Sequence, residues 1–385
     1  MKLPNLLIGI PILAYCYFIW RFAVYTPILD DHDFVLAFLA QMEKVRSFSE
    51  LLTLVFQPHN EHFAILPRFI VALVGGLLPK DYLFPCLILI MNLAIFGILY
   101  LLLYFCQRSY GNNCWKIFFP VPFLLLTPTF YGSALWVTAG IQFQLAILFV
   151  VALAVALSLD PNSWKRPLIC SVFGLMCFAG ALPAAVICAA ILATNKGLPA
   201  KLSSTAICLI TLTVIFFGSR SQLPHSNATT HSPAQFILGI LTLIGAPIAN
   251  SSELSVAQGG ITLFILSILI ARQRSISTLE ILSLILLAMI ASISFGRSGF
   301  GAYYIFKTSR YHLTSILFLI VTYLKVAEYI LNSRSYNFDR FVFSASAVSI
   351  FFWGAKFYTL TPQVIDFHRF INNLTDTHTS HFPIF

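Results

Sequence analysis

Residues 83–105 read LFPCLILIMNLAIFGILYLLLYF and contain no charged side chain. A helix needs about 20 consecutive apolar residues to cross the hydrocarbon core of a bilayer. Backbone groups find no hydrogen-bond partners in lipid, so such a stretch crosses as a helix, which satisfies its own backbone. The stretch therefore predicts a membrane-spanning α-helix.

Further apolar stretches, bounded by Pro, Gly and charged residues, lie at 4–24, 63–79, 117–131, 134–158, 167–194, 202–218, 234–249, 258–271, 278–295, 312–331 and 341–357. The chain is 58% hydrophobic and 10% charged, whereas a soluble domain carries roughly a quarter charged residues. We therefore predict an all-α fold, a polytopic integral membrane helical bundle of about ten to twelve transmembrane helices. Residues 1–385 would form one transmembrane domain, with an extracytoplasmic loop at 26–62 and a polar tail at 358–385.

The net charge of +9 is scattered among the ends of the apolar stretches. This scatter is typical of membrane topology, so we predict no nucleic-acid partner. Lys2 precedes the first stretch, which by the positive-inside rule places the N-terminus in the cytoplasm and the first loop outside. Strict alternation then puts the basic pair at 165–166 outside. We therefore predict that 63–79 is a half-span or an interfacial helix, and that Pro183 splits 167–194 into two short helices.

Apolar side chains recur at three- and four-residue steps between Phe34 and Leu52, with charged residues elsewhere. This periodicity predicts an amphipathic helix over 34–56. Such a helix would lie in the outer membrane interface with its apolar face down. It would hold the preceding acidic residues at the level of a lipid headgroup. An ordinary loop helix packed on the bundle is the alternative.

Three acidic residues stand together in ILDDHDF, residues 28–34, directly after the first apolar stretch. The whole chain has 14 acidic residues, so this concentration calls for solvent, a cation or a chemical role. A carboxyl group near a second carboxylate has its pKa raised, which suits it to accept a proton near neutrality. We predict Asp30 and Asp31 as catalytic residues and Asp33 as a substrate-binding residue.

A second polar patch, QPHNEH at 57–62, precedes an arginine in the next apolar stretch. Its candidate substrate-binding residues are His59, Asn60, Glu61, His62 and Arg68. An arginine within an apolar helix normally has a partner or a function. His-x-x-His beside acidic residues is a weak metal signal. We therefore predict no resident cofactor or metal and leave a divalent cation as the alternative.

A third patch runs from GRSGFG at 296–301 to KTSRYH at 307–312. Its candidate substrate-binding residues are Arg297, Lys307, Arg310 and Tyr311. A guanidinium binds two phosphate oxygens at once, so this basic set suits a phosphate group. A cytoplasmic basic loop is the alternative, and alternation with the basic loops at 272–274 and 332–340 argues against it.

An acidic pair in the first external loop, an interfacial helix and later outer loops with arginine resemble the GT-C superfamily of polytopic glycosyltransferases. The residue match covers the acidic pair, HNEHFAILPR at 59–68, GRSGFG at 296–301 and SRY at 309–311. Members of this superfamily move a sugar from a polyprenyl-phosphate lipid to an acceptor on the non-cytoplasmic side. The O-antigen-modifying glucosyltransferases of Gram-negative bacteria and their phages are the expected functional analogues. No C-terminal extracytoplasmic domain like that of larger members is expected, which would leave the acceptor to the membrane loops.

By this resemblance, Asp30 or Asp31 is the general base for the acceptor hydroxyl, and the anomeric centre is inverted. Arg297 or Arg310, with Arg68, would neutralise the phosphate leaving group. The sugar hydroxyls or the base would be held by Asp33, His59, Glu61 and His62. The implied partners are a polyprenyl-phosphate sugar donor, with glucose as an example, a glycan acceptor such as O-antigen, and membrane lipids. The implied place is the bacterial inner membrane, with the site facing the periplasm. A polysaccharide polymerase and a lipid or sugar transporter (flippase) are the alternatives.

Overall fold

The computed structural model describes residues 3–59, 63–159, 163–194, 197–220, 232–272, 277–333 and 337–379. These residues form α-helices, short 3₁₀ turns and one π-helix, with no β-strand among them. The α-helices are α1 Leu3–Phe22, α2 Phe38–Met42, α3 Phe48–Phe56, α4 Ile65–Leu77, α5 Lys80–Tyr110, α6 Cys114–Phe118, α7 Pro120–Leu125, α8 Tyr131–Leu135, α9 Val137–Leu159, α10 Lys165–Cys177, α11 Leu182–Thr194, α12 Leu198–Arg220, α13 Pro233–Gly245, α14 Ser252–Ala271, α15 Thr278–Arg297, α16 Gly301–Lys307, α17 His312–Asn332 and α18 Phe338–Thr379.

Seven helical stretches of the described chain are long and apolar enough to cross a membrane. They are Lys80–Phe118, Val137–Ser158, Leu198–Ile215, Ser252–Ala271, Thr278–Arg297, Ser309–Asn332 and Phe338–Ile371. Shorter apolar helices lie at Leu7–Phe22, Ile65–Leu77, Ala179–Thr194 and Pro233–Gly245. The structure therefore confirms an all-helical bundle of the membrane type, in which the described residues contain seven long and four shorter apolar helices.

Prolines explain why two of the apolar stretches do not form single membrane-spanning helices. The stretch 167–194 is split as predicted, into α10 and α11, with Pro183 in the first turn of α11, where proline fits a helix start. Each of these helices has 13 residues, about 20 Å, which is shorter than the hydrocarbon core. The stretch 117–131 was predicted as one apolar segment, and this was wrong. Pro120 and Pro128 open new helical turns there, which leaves short pieces.

The amphipathic helix predicted over 34–56 is two helices, α2 and α3, preceded by a π-helix over His32–Ala37. The break has a local cause. The Ser47 hydroxyl accepts a hydrogen bond from the Glu50 amide at 3.2 Å, and the Glu50 carboxylate accepts one from the Arg46 amide at 2.8 Å. Ser-x-x-Glu is the capping-box pattern, which begins a new helix at this point.

A polar tail was predicted at 358–385. Over residues 358–379 the structure shows a continuous helix instead, because α18 extends through them. A helix of 42 residues is about 63 Å long, roughly twice the hydrocarbon thickness. This helix is anchored around residues 367–371. Ile371 is buried with Val24 and Ile28, and the Phe367 ring lies 5.6 Å from that of Tyr131. The end of α18 therefore covers the segment that leads into the acidic motif.

Contacts between helix ends define the two ends of the bundle. At one, which we call the motif end, Asp31 contacts the start of α9, and Arg297 at the end of α15 contacts Tyr311, just before α17. At the opposite end, the last turn of α9 contacts the first turn of α15 through Ser158 and Thr278. The first and third sequence patches therefore lie at the same end.

Basic side chains gather at the opposite end. Lys116 lies 2.7 Å from the Asp339 carboxylate at the start of α18. Arg272, after α14, donates a hydrogen bond to the Tyr329 hydroxyl at 2.9 Å. The basic pair at 165–166 begins α10 directly after α9 ends there. These four basic residues therefore share the opposite end of the bundle.

A buried group of charges holds α15 to α17 inside that opposite end. Lys325, whose side chain is 1% exposed, pairs with Glu280 and lies 2.6 Å from Glu328. The Ser277 amide donates a further hydrogen bond to Glu280 at 2.7 Å. Because a buried charge is costly without a partner, the three charged residues depend on one another.

Candidate functional site

The backbone around the acidic motif is irregular in two ways. Leu29 has φ of 47°, a left-handed conformation that costs a residue with a side chain about 1–3 kcal/mol. A π-helix, His32–Ala37, begins two residues after Asp30. This conformation occurs mostly as short insertions in α-helices and is frequent at functional sites. Strain of this kind persists only where the surroundings impose it. The surrounding structure therefore holds the acidic motif in this conformation.

Asp31 points into the protein and is 1% exposed. Its carboxylate accepts hydrogen bonds from the Thr138 amide at 2.9 Å, from the Thr138 hydroxyl, and from the Ile28 amide at 3.2 Å. Thr138 lies in the first turn of α9, where the helix dipole favours a negative charge. Asp31 therefore fastens the first loop to the start of α9.

Burial raises the pKa of Asp31 from its ordinary value of 3.8 to about 6, although the hydrogen bonds from Thr138 and Ile28 act to lower it. The Trp136 side chain is near enough to lower this pKa slightly, while its Nε1 makes no direct hydrogen bond. A carboxyl group with this pKa changes its charge just below neutral pH. Both of its carboxylate oxygens accept hydrogen bonds from within the protein.

Asp30 is half-buried. Burial lowers the pKa of the His59 imidazole, and Arg68 lowers it further. Asp30 and the exposed Asp33 lie close enough to His59 to raise its pKa, but by less. The His59 ring packs 5.0 Å from the Phe34 ring. Asp30, Asp33 and His59 therefore form one polar group on the accessible side of the motif.

Arg68 is buried and bonds to the end of α3. Its Nη1 donates hydrogen bonds to the carbonyls of Leu54 at 3.1 Å, Val55 at 3.3 Å, and Gln57. The guanidinium also lies 5.5 Å from the centre of the Phe38 ring. The end of a helix is a favourable place for a cation. The structure thus gives Arg68 a structural partner at the end of α3, while its buried Nε makes no hydrogen bond.

Arg310 lies in a 3₁₀ turn, Ser309–Tyr311, before α17. Its guanidinium lies 5.7 Å from the centre of the Trp136 ring and 5.1 Å from that of Tyr311. Its buried Nε makes no hydrogen bond. Arg310 is therefore held by two aromatic faces, with donor capacity left over for a ligand.

The turn that carries Arg310 sits tightly on α8. The Gly132 amide donates a hydrogen bond to the Ser309 hydroxyl at 3.1 Å. A Cβ at Gly132 would lie 2.6 Å from that hydroxyl oxygen and 3.3 Å from the Arg310 amide nitrogen. A side chain at position 132 would force the Ser309 hydroxyl to rotate and the Arg310 backbone to shift, so Gly132 fits the close approach of this turn.

The first and third patches meet through shared contacts. Arg297 Nε donates a hydrogen bond to the Tyr311 hydroxyl at 3.1 Å, and Tyr311 also contacts Arg310. Arg310 contacts Trp136, and the Asp31 carboxylate bonds to Thr138 two residues later. Two residues span at most about 7 Å of backbone. The acidic motif and the arginines therefore border one region of the motif end.

The remaining predicted residues lie elsewhere or outside the described chain. Lys307 is exposed, lies 5.7 Å from the centre of the Tyr303 ring, and lines a separate cavity. The predicted residues Asn60, Glu61 and His62 lie outside the described residues. Among the residues that are described, no three His, Cys, Asp or Glu side chains are grouped so as to hold a metal ion.

Sequence reasoning missed several residues of this region. Thr138 and Gly132 carry no signal of their own, because their roles arise from contacts between distant segments. Lys356 lies within the predicted apolar stretch 341–357 and was not predicted as a site residue. A lysine inside an apolar helix is a signal in itself, and it could have been singled out.

Comparison with family models, with curated proteins and with solved structures finds no match to this chain. The fold itself defines the class: a helical protein with seven described stretches able to cross a membrane. A more specific assignment of function therefore has to rest on the chemistry of the motif end.

Proposed function

We propose that the protein is a membrane glycosyltransferase of the GT-C type, which moves a hexose such as glucose from a polyprenyl-phosphate donor to a hydroxyl of a glycan acceptor. The observation that supports this proposal most is the meeting of an acidic motif with Arg297 and Arg310 at one end of the bundle. Transfer from a lipid phosphate needs a base for the acceptor and cations for the leaving phosphate. Both kinds of group are present there.

In this proposal the two aspartates have different roles. Asp30, which is half-buried, accepts the proton of the acceptor hydroxyl as its oxygen attacks the anomeric carbon. The bond from that carbon to the phosphate oxygen breaks, its electron pair stays on the phosphate, and the anomeric centre is inverted. Asp31 is fully bonded to Thr138 and Ile28, so it serves as a positioning residue that fixes Asp30.

The two arginines supply the charge that the leaving phosphate requires. Arg310 lies against Trp136 and Tyr311 with Nε free of partners, and Arg297 is tied to the Tyr311 hydroxyl. Fixed cations aimed at developing charge are usually the largest single contribution to catalysis. The aromatic faces hold Arg310 in place before the donor arrives, which limits the entropy lost on binding.

The charge distribution supports an extracytoplasmic site. Basic side chains, including Lys116 and Arg272, gather at the opposite end. Cytoplasmic segments of membrane proteins carry the excess of Lys and Arg. In this proposal the motif end faces the periplasm of a bacterial inner membrane, where O-antigen is the kind of acceptor.

A transporter is the competing class, and the buried Lys325 with Glu280 is the feature that favours it, since intramembrane charges often mark transport pathways. Those charges are mutually paired and lie away from the motif end. A transporter would move its lipid or sugar without breaking the sugar–phosphate bond, so covalent transfer separates the two classes.

The direct test follows covalent transfer. Membrane vesicles from a bacterial host that expresses the protein supply both donor lipid and glycan acceptor. We expect the glycan to gain one hexose residue by mass spectrometry, and Asp30→Asn to slow this gain by about two to four orders of magnitude. The control is Asp339→Asn, an exposed carboxylate at the opposite end, which should leave the rate unchanged. Full activity of Asp30→Asn would exclude Asp30 as the base.

A further inference from the structure

A polar cavity of about 180 Å³ lies beside the motif end. It is bounded by the turn before α17, the segment after α13 and the middle of α18, and Lys307, His312 and Lys356 line it. Ser309 lines it too, whereas the guanidinium of the next residue, Arg310, lies against Trp136. The cavity is therefore separate from the arginine cluster.

Lys356 is the most telling residue of this cavity. It is 6% exposed, its ammonium donates one hydrogen bond, to the Ala249 carbonyl at 3.3 Å, and it lies 5.7 Å from the centre of the Phe352 ring. An ammonium has three donors, so two are left to the cavity. A buried cation without a counter-charge costs several kcal/mol, and none of the described residues that line the cavity is acidic.

His312 offers a second unused group. It is 7% exposed, and its Nδ1 lies 3.2 Å from the Thr129 carbonyl oxygen. A carbonyl can only accept, so Nδ1 carries a proton. Nε2 makes no hydrogen bond, although the Phe306 carbonyl lies near it. A neutral imidazole would accept a hydrogen bond there from a hydroxyl group of a ligand.

The cavity thus presents two cations, Lys356 and Lys307, an imidazole and the amides of Asn250 and Gln363, with no carboxylate among the described lining residues. Its volume equals about six water molecules, which accommodates a phosphate group. We propose that this cavity is a binding site for a phosphate monoester or inorganic phosphate, whose oxygens take hydrogen bonds from Lys356 and Lys307 and whose P–OH bonds to His312. The site is independent of the proposed sugar transfer.

Binding can be measured without any enzyme activity. The full-length protein in phosphatidylcholine nanodiscs is titrated with inorganic phosphate, and the phosphorus NMR line width is followed. In a second arm the nanodiscs contain phosphatidic acid, and the lipid retained after purification is counted by mass spectrometry. Retention of phosphatidic acid without a response to inorganic phosphate assigns a lipid headgroup, and the reverse assigns the free ion.

Matched variants connect the signal to the cavity. Lys356→Gln removes a charge-assisted hydrogen bond, which should weaken binding about tenfold or more. Lys307→Gln should weaken it severalfold, since Lys307 is exposed and its charge is screened. Lys201→Gln, an exposed lysine on α12, is the control and should bind like wild type.

Three results would overturn the proposal. The first is no binding of either phosphate source by wild type. The second is unchanged affinity in a folded Lys356→Gln variant. The third is unchanged affinity in Lys307→Gln, a surface change that leaves the fold intact whatever happens to the buried variant.

Discussion

Asp31→Asn should remove a specific part of the pH dependence of stability. Burial raises the pKa of Asp31 from 3.8 to about 6 in the folded protein, so the folded state holds this proton more tightly than the unfolded chain. Stability falls with rising pH wherever the folded state binds more protons. The contribution of Asp31 is therefore most favourable below 3.8, declines as pH rises to about 6, and is level above that.

The magnitude follows from the same pKa values. A rise from 3.8 to about 6 is worth about 3 kcal/mol at 1.36 kcal/mol per pKa unit. Asn at position 31 has no proton to gain or lose in this range. Its carbonyl can still accept from Thr138, while its amide meets the Ile28 N–H, which adds a penalty that does not depend on pH.

The assay is equilibrium unfolding in mixed detergent micelles from about pH 4 to pH 7. The difference in unfolding free energy between wild type and Asp31→Asn should shift by about 2.4 kcal/mol across this range, in favour of wild type at low pH, because the full 3 kcal/mol is reached only below pH 3.8. Asp339→Asn, exposed at the opposite end, is the control. Parallel curves for wild type and Asp31→Asn would refute the buried, ionisable state of Asp31.

Three further predictions concern packing and charge. Gly132→Ala should displace the Ser309 turn and slow hexose transfer about tenfold or more, because small displacements at a site are costly. The thermal midpoint should change little. An unchanged transfer rate would count against the role of Gly132. Lys325→Met should lower the unfolding free energy by about 3–5 kcal/mol, since it leaves Glu280 buried and unpaired. The double variant Lys325→Met with Glu280→Gln should recover part of that loss. Failure of the double variant to recover any stability would contradict the pairing. Leu29→Gly should relieve the positive φ and cost no stability, whereas a loss above about 1 kcal/mol would show that the Leu29 side chain matters more than its backbone strain.

The fold class could be predicted because it depends on composition and on runs of apolar residues. The same holds for the division at Pro183, since proline acts locally. The broken helix over 34–56 was misread although its cause is also local: Ser47 and Glu50 form a capping box, and the apolar periodicity across it obscured the break. The continuation of α18 beyond 358 depends on Ile371 packing against the first loop, which no local pattern reports.

The site could be predicted only in outline. The grouping of the acidic motif with Arg310 follows from alternation of helices across a membrane. The different environments of Asp30 and Asp31 do not, because they depend on Thr138, which lies 107 positions away. For Arg68 the sequence indicated a partner, and the structure identifies it as the end of α3.

The rate at which Arg310→Lys transfers hexose from a purified polyprenyl-phosphate hexose tests the central claim most directly. Lysine keeps the charge but loses the two-oxygen fork and the planar face that lies against Trp136. We expect the initial rate to fall about tenfold to a hundredfold, and Arg310→Ala to abolish transfer. Arg272→Lys, at the opposite end, should transfer at the wild-type rate. Transfer by Arg310→Lys at near wild-type rate would contradict a site in which this arginine binds the donor phosphate.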